Sequence, residues 1–281
     1  MPEVELRARI NLSYVAAADD PLLAYGAARD GLALARRLGY RSMGSYLLGN
    51  AADSAVRVGD WDWALSELEE AVATLPSDFT ALLRRSHVRG LRGDVVEDDL
   101  SAVDDLVSGL SEVQAPAAVD DVRAQLALSR GDFAEAFHLA RRSHSRNAAP
   151  DSYALPWAGR AAAWLGNTAD VAEVCELLHL RPGRVPAVSR QEIESALAAV
   201  EGRTGESLAG FVEAIRGWRD LGLEFEAALC ALDLVMLLGS AEGQAREAAE
   251  EAAATFQRVG AKPLLHLLSQ ATSGHGSFPT G

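Results

Sequence analysis

Lysine is almost missing from this chain: Lys262 is the single lysine among 26 basic residues. Acidic residues number 40, so the formal net charge at pH 7 is −14. No broad cationic surface is left to neutralise phosphate groups, which argues against nucleic acid or an anionic membrane as a partner. Because the other basic residues are arginines, a single arginine carries little functional information here.

Cysteine is scarce as well. Cys175 and Cys230 lie far apart, in apolar stretches typical of helices, which favours buried free thiols in a reducing cytosol over a disulfide framework. The chain has no apolar run of the roughly 18 residues that a membrane span needs, and its first residues lack the basic start and apolar core of a signal peptide. We therefore expect a cytoplasmic protein.

The motifs of common catalytic sites are missing too. A phosphate-binding loop of the Gly-x-x-x-x-Gly-Lys-Ser/Thr type needs a lysine, and Lys262 is followed by Pro263, which excludes that loop. The nucleotide-binding Gly-x-Gly-x-x-Gly turn and the Gly-x-Ser-x-Gly elbow of hydrolases are absent. The six histidines are scattered, without a His-Glu-x-x-His or Cys-x-x-Cys pair. We expect no enzymatic activity, no cofactor and no metal site.

Alanine and leucine are abundant instead, with 52 and 39 residues, and predict a mostly helical chain. Glycine ends successive Ala/Leu-rich stretches at intervals of 34, 38, 35, 36 and 37 residues. A short polar residue often follows, which predicts a left-handed C-cap glycine directly before a helix N-cap. The pattern predicts repeated helix–turn–helix units, and its glycines are Gly59, Gly93, Gly131, Gly166, Gly202 and Gly239.

The clearest unit spans residues 45–76, with a small apolar stripe on each of two helices, a Gly-Asp-Trp turn and a final proline. The positions that define it are Leu48, Ala51, Ala52, Ala55, Gly59, Asp60, Trp61, Ala64, Leu68, Ala71 and Pro76. This order resembles the tetratricopeptide repeat (TPR). The resemblance implies an all-α fold, a TPR-like α-solenoid of about seven antiparallel helix hairpins in a right-handed superhelix, each stacked on its neighbours.

The same period divides nearly the whole chain. We predict one repeat domain over residues 1–271 and a disordered tail over 272–281. The hairpins are expected near 3–38, 41–75, 78–110, 116–146, 151–180, 188–219 and 223–258, with a capping helix over 261–271.

Three phrases carry a second resemblance: residues 35–39, residues 48–52 leading to 59–61, and residues 256–263. They are similar to the C-terminal repeat region of large actinobacterial regulators that join an AAA-type ATPase to an adenylate/guanylate cyclase or a LuxR-type DNA-binding domain. The resemblance implies a sensing or scaffolding arm for such an ATPase or for partner proteins. With no such domain ahead of the repeats, we expect a fragment or a stand-alone paralogue.

First helices of stacked hairpins line the inner, concave surface of the superhelix. Arg85, Arg89 and Arg92 form an arginine stripe on one face of a first helix. The stripe either binds an acidic peptide or carboxylate terminus, or pairs with nearby aspartates, which are Asp98, Asp99, Asp104 and Asp105. Trp164 either anchors a partner or packs on the neighbouring repeat. The predicted partner-contacting residues are Tyr46, Asp53, Arg57, Arg85, Arg89, Arg92, Gln125, Tyr153, Arg160 and Trp164.

Other charged groups receive simpler interpretations. The adjacent carboxylates at 98–99, 104–105 and 120–121 are expected on solvated helix faces. Arg141, Arg142 and Arg146 are expected to stabilise the end of their helix.

The predicted function is a non-catalytic scaffold for protein–protein interaction or regulation, binding a peptide, helix or domain on the concave surface. The alternative is a small-molecule effector sensor coupled to an ATPase or cyclase. The sequence leaves the partner's identity and the oligomeric state open.

Overall fold

A computed structural model describes residues 2–109, 114–147, 154–241 and 243–273, and all regular structure in these ranges is helical. Beside a short 3-10 turn at Ala16–Ala18, the helices are α1 (Pro2–Val15), α2 (Pro21–Leu38), α3 (Arg41–Val58), α4 (Trp61–Thr74), α5 (Phe79–Leu91), α6 (Glu97–Ser108), α7 (Gln114–Ser129), α8 (Phe133–Arg146), α9 (Ala154–Trp164), α10 (Thr168–His179), α11 (Arg184–Val200), α12 (Thr204–Asp220), α13 (Glu224–Leu238), α14 (Gly243–Val259) and α15 (Lys262–Thr272).

Consecutive helices pack as pairs, from α1 with α2 to α13 with α14, and α15 follows the seventh pair. The first helices of successive pairs also contact one another in series, from α1 and α3 through to α11 and α13. Such stacking buries the apolar face of each hairpin against its neighbours. The predicted all-α, TPR-like solenoid is therefore confirmed.

Glycines end the first helices as the period predicts. All six periodic glycines have positive φ, for example 84° at Gly59 and 87° at Gly131. At Gly59 the chain turns in a Schellman motif, in which the Asp60 N–H donates to the Ala55 carbonyl at 2.8 Å. An L-residue with a side chain is strained at such φ angles.

The predicted N-caps after these glycines are only partly correct. Asp132 and Asn167 do cap their helices, accepting from the backbone N–H of Glu135 at 3.2 Å and of Asp170 at 3.3 Å. Asp60 precedes α4 but accepts the Tyr25 hydroxyl at 2.7 Å instead of capping. A tertiary hydrogen bond there replaces the local one that the sequence suggested.

Glycine also permits close contact between first helices. A Cβ on Gly90 in α5 would lie 2.6 Å from Leu126 Cδ2 in α7, and one on Gly159 in α9 would lie 2.9 Å from Ile193 Cγ2 in α11. Real Cβ atoms essentially never come so near another carbon. Glycine at these positions therefore lets neighbouring first helices pack more closely than a side chain would allow.

The seventh hairpin turns back onto earlier ones. Helix α13 is buried over most of its length, and it contacts α3 and α9 as well as its neighbour α11. The Trp61 and Phe225 rings meet edge to face at 5.0 Å, and α15 reaches α5 and α7. Asp19, near the N-terminal end of the chain, also contacts a late hairpin: its Oδ1 accepts from the backbone N–H of Arg184 in α11 at 2.9 Å. The array therefore curls until distant hairpins touch, with α13 inside the curve.

Both cysteines are free and buried, as predicted. Burial raises the pKa of the Cys175 thiol to about 12. Across the described ranges, none of the helices combines the length and apolar character needed to pass through a lipid bilayer.

Candidate functional site

The curled inner layer leaves a central cavity of about 350 Å³. Ligand pockets in proteins typically measure about 300 to 1,000 Å³. Its wall comes mainly from first helices, including α3, α5, α7, α9, α11 and α13. The wall combines charged and amide side chains with aromatic ones, among them Asp53, Arg57, Arg84, His87, Asp121, Gln125, Trp157, Arg160, Glu192, Trp218, Phe225 and Glu226.

An ion pair joins two neighbouring first helices on this wall. Arg84 Nη2 on α5 lies 2.8 Å from Asp53 Oδ2 on α3. The Asp53 side chain keeps 41% of its surface accessible, and Asp53 is one of the residues lining the cavity. Desolvation nevertheless raises the pKa of Asp53, while Arg84 and Arg57 act to lower it. Its accessible surface therefore faces the cavity.

A hydrogen-bonded chain runs from α7 to α5 and fixes the tautomer of a buried histidine. Gln125 Nε2 donates to Asp121 Oδ2 at 3.2 Å, which turns Gln125 Oε1 toward His87 Nε2 at 2.9 Å. Burial, aided by the charge of Arg84, lowers the pKa of His87 to about 3. The ring is neutral, so its one proton sits on Nε2 and donates to Gln125.

Two buried acceptor atoms of this hydrogen-bonded series have no partner in the part of the chain that the structure describes. His87 is 5% exposed, and its Nδ1 lone pair has no partner among the described residues. Asp121 Oδ1 is likewise buried without a hydrogen bond from the described part of the chain. Buried polar groups are normally paired, so each such atom calls for a donor that the fold itself does not supply.

The carboxyl group of Asp121 has a raised pKa. Burial raises the pKa of Asp121 to about 6, and the charges of Asp53 and Asp120 add to this effect. Arg84 and the Gln125 amide act in the opposite direction. Above that pKa, the Asp53, Arg84 and Asp121 cluster holds two negative charges against one positive charge.

A second charged group is buried in the wall and hydrogen-bonded within the chain. Arg160 Nε lies 2.8 Å from Asp233 Oδ2, and its Nη2 donates to Glu192 Oε1. The Trp218 indole N–H donates to Glu192 Oε2 at 2.7 Å. Burial raises the pKa of both carboxyls, and Arg160 counteracts the shift. Since the arginine and both carboxylates are 2% exposed, this group ties helices together.

Four of the predicted site residues lie on the cavity wall: Asp53, Arg57, Gln125 and Arg160. Arg160 is buried in its ion pairs, so it is an interior residue and no surface contact for a partner. Tyr46 is 59% exposed, one helical turn before the lining residue Asn50. Tyr153 lies outside the described residues.

Trp164 belongs to the interior. It is 5% exposed, and its ring meets Phe133 edge to face at 5.0 Å. The packing interpretation of Trp164 describes this arrangement, and the anchor interpretation does not.

The arginine stripe is paired within the chain and does not line the cavity. Arg85 Nη2 lies 3.0 Å from Asp99 Oδ2, and Arg89 contacts the same carboxylate at 3.4 Å. Arg92 pairs with Asp62 at 2.6 Å and donates to a carbonyl of α14. The side of α5 that faces the cavity carries Arg84 and His87 instead, so the stripe marks a different face of this helix.

The expected solvation of the 120–121 pair is wrong. Asp120 is buried and accepts from Arg142 at 2.7 Å and from Arg146 at 2.6 Å, which joins α7 to α8. Asp121 faces the cavity. Asp98, Asp104 and Asp105 are exposed, as predicted.

The sequence interpretation overlooked several charged residues of the wall as candidate site residues. The available signals were the i, i+3 and i, i+4 spacings of polar residues on first helices. The overlooked residues are Arg84, His87, Glu192 and Glu226. Among the described residues, no group of three or more histidine, cysteine or acidic side chains is arranged to hold a metal ion.

No protein-family model matches the sequence, and no curated protein matches it. One similar solved structure is a tetratricopeptide repeat protein from Parabacteroides merdae ATCC 43184, with 18% identity over 80% of this chain and 98% of that one, at a TM-score of 0.42. Another is the P58(IPK) TPR domain, with 14% identity over 97% and 99% of the two chains and a TM-score of 0.26.

Proposed function

We propose that this chain is a non-catalytic binding module that holds a small molecule in its central cavity. The observation that carries the proposal is the wall itself, where buried polar atoms of His87 and Asp121 lack partners among the described residues. Leaving such atoms unsatisfied costs about 1 to 3 kcal/mol each. A ligand that supplies the missing partners would recover that free energy on binding.

The position of α13 favours a small ligand over an extended peptide. Open solenoids bind partners along an extended concave surface. In this chain α13 occupies the inside of the curve and contacts α3 and α9. The remaining space of about 350 Å³ suits a compact molecule. Sensing of an effector is therefore the function that this geometry supports best.

A protein-binding scaffold is the second candidate, and exposed aromatic residues favour it. Tyr46 and Tyr14 are 59% and 55% exposed. Tyr46 lies on the same face of α3 as the lining residues Asn50 and Asp53, and Tyr14 itself lines the cavity. Aromatic side chains are enriched at interfaces. A peptide, helix or domain would contact this aromatic rim.

The wider context of either function rests on the sequence phrases at residues 35–39, at 48–52 with 59–61, and at 256–263. Through them, the chain would be the repeat arm of a regulator that contains an ATPase or cyclase. Effector binding in the cavity would then change how the arm contacts the rest of that regulator.

A cavity-filling variant tests the small-molecule proposal. Ala118 lines the cavity, so Ala118→Phe would occupy ligand space. Ala134→Phe places the same side chain on the exposed surface of α8 and serves as the control. Thermal-shift and native mass spectrometry screens against a small-metabolite collection should find a ligand that stabilises the wild type and Ala134→Phe but not Ala118→Phe.

Two results would contradict the proposal. One is a ligand that binds all three proteins equally, since it would not use the cavity. The other is a defined protein partner that binds Ala118→Phe normally and is lost on Tyr46→Ala, with no small molecule bound to any variant. That second result would favour the scaffold.

A further inference from the structure

We propose that the cavity recognises the ammonium group of a small organic amine, held between Asp121 and His87 with Asp53 nearby. This inference rests on the proposed small-molecule function and names the ligand class.

Two of the unpaired atoms on this part of the wall are hydrogen-bond acceptors, so a ligand must supply hydrogen-bond donors. His87 Nδ1 is an acceptor because the proton of the neutral ring is committed to Gln125 Oε1 at 2.9 Å. Asp121 Oδ1 is an acceptor because the carboxylate is ionised above its pKa of about 6. Neither atom has a partner among the residues described. An ammonium group carries three N–H donors and accepts nothing, which matches this pair of acceptors.

The charge balance of the wall also favours a cation. Arg57 is paired with Glu226. Arg160 is buried between Glu192 and Asp233, so it adds no unpaired positive charge to the wall. Arg84 is shared between Asp53, with which it forms an ion pair, and Asp121, whose pKa its charge lowers. Two carboxylates thus face one guanidinium in this cluster. A bound monocation would neutralise it, and hydrogen bonds between charged partners are stronger than neutral ones.

The same balance disfavours an anion. A carboxylate or phosphate entering here would meet Asp121 and Asp53, and it would have to draw Arg84 away from Asp53 at 2.8 Å. Arg84 Nε is buried without a partner in the described chain. A single neutral acceptor on the ligand, such as a hydroxyl oxygen, would satisfy this one N–H.

The body of the ligand has apolar surface to contact. Trp157, Trp218 and Phe225 line the same cavity. Burial of apolar ligand surface against such side chains stabilises binding by about 25 cal/mol per Å². The expected ligand is therefore an amine with an apolar or aromatic body, of a size that fits about 350 Å³.

Three probes of one shape test this inference on the full chain: 2-phenylethylamine, 2-phenylethanol and phenylacetate. Ligand-observed NMR titrations at about pH 7.5 should show the amine binding at least about tenfold more tightly than the alcohol, with no binding of phenylacetate. Asp121→Asn should weaken amine binding by about tenfold or more and leave the alcohol unchanged. Asp104→Asn, at an exposed carboxylate of α6, should bind like the wild type.

Equal affinity for amine and alcohol, or a preference for phenylacetate, would overturn the inference. So would amine binding that survives Asp121→Asn, whose fold circular dichroism would verify. The Ala118→Phe variant distinguishes failure of the amine proposal from failure of the proposed small-molecule function. A ligand of other chemistry that Ala118→Phe excludes would leave the cavity function intact and reject the amine. If Ala118→Phe affects no ligand at all, both proposals fail.

Discussion

Arg57 and Glu226 form an ion pair between the second hairpin and the seventh, 169 residues apart, with Arg57 Nε 2.8 Å from Glu226 Oε1. Their side chains are only 14% and 16% exposed. Beside them the Trp61 and Phe225 rings are in contact. The pair therefore fastens the C-terminal hairpin to an early one and forms part of the cavity wall.

A double-mutant cycle on this pair should reveal coupling. Because both partners are largely buried, Arg57→Met and Glu226→Gln should show an interaction free energy of about 1 kcal/mol in urea unfolding. The surface pair Arg141 and Glu173, whose side chains are 31% and 51% exposed, should couple by less than about 0.5 kcal/mol. Equal coupling in the two cycles would mean that the closing contact adds nothing specific.

Removing the charge of Arg160 should lower the free energy of unfolding far more than breaking the pair of Arg57 and Glu226. Arg160→Met would leave Glu192 and Asp233 buried without their cation, and loss of one partner from a buried ion pair costs about 3 to 5 kcal/mol. Arg130→Met, at an exposed ion pair with Glu97, should cost less than about 1 kcal/mol. Urea denaturation monitored by circular dichroism measures both values.

A triple variant tests the reason for that cost. Arg160→Met combined with Glu192→Gln and Asp233→Leu removes all three charges, while the amide introduced at position 192 retains an acceptor for the Trp218 indole. Most of the stability lost in Arg160→Met should return. If the triple variant is as unstable as the single one, the loss is due to packing and not to unpaired charge.

Two Gly→Ala substitutions should have opposite effects. At Gly159 the new Cβ would lie 2.9 Å from Ile193 Cγ2 and 3.1 Å from Val174 Cγ1, so the helices must separate at a cost of about 1 to 3 kcal/mol. At Gly26, an exposed site inside α2, a Cβ meets no atom within 4 Å. Gly26→Ala should stabilise the protein by about 0.5 to 1 kcal/mol, because alanine is the better helix former. Thermal denaturation of both variants checks the signs.

Asp121 should make the unliganded protein less stable as pH rises. Its pKa is raised from 3.8 to about 6 in the fold, so between these values the folded state binds more protons than the unfolded state. Stability therefore falls as pH increases through that window, and the loss is complete above it. The charges that act on Asp121 are those of Arg84, Asp53 and Asp120.

Asp121→Asn removes this penalty while keeping an acceptor for Gln125. At about pH 7.5 the variant should be more stable than the wild type by on the order of 1 to 3 kcal/mol, with little difference below about pH 4. Asp104→Asn, which removes an exposed carboxylate of α6, is the control variant. A constant gap between Asp121→Asn and wild type across pH, measured by urea unfolding, would reject this assignment.

The sequence predicted the local architecture because local chemistry determines it. Positive φ at Gly59 and Gly131 follows from the need for glycine at these turns, and buried Ala51, Ala55 and Trp61 follow from the helical period. The Asp60 cap was wrong because Tyr25, from another hairpin, takes its carboxylate. Local patterns do not contain such distant partners.

Only part of the cavity wall could be predicted from the sequence. The repeat frame placed Asp53, Arg57 and Gln125 on first helices facing inward, and they do lie on the wall. On α5 the interpretation followed three arginines, whereas the inward face is set by packing and carries Arg84 and His87. Closure depends on rotation accumulated over seven hairpins, which no single motif encodes. The one sequence signal for closure was α13, which is apolar around most of its circumference apart from residues such as Glu226 and Asp233 and so had to be covered over most of its surface.

The contacts of the seventh hairpin with α3 change how this array should unfold. In an open solenoid each repeat depends only on its neighbours, so terminal repeats can fray one at a time. Here the loss of α13 also removes Phe225 from Trp61 and Glu226 from Arg57, and the start of the chain is held to α11 through Asp19. Fraying at one end thus weakens the other, and the chain should unfold in one cooperative step. The cavity would exist only in the complete array, so a bound ligand would stabilise the first and last hairpins together.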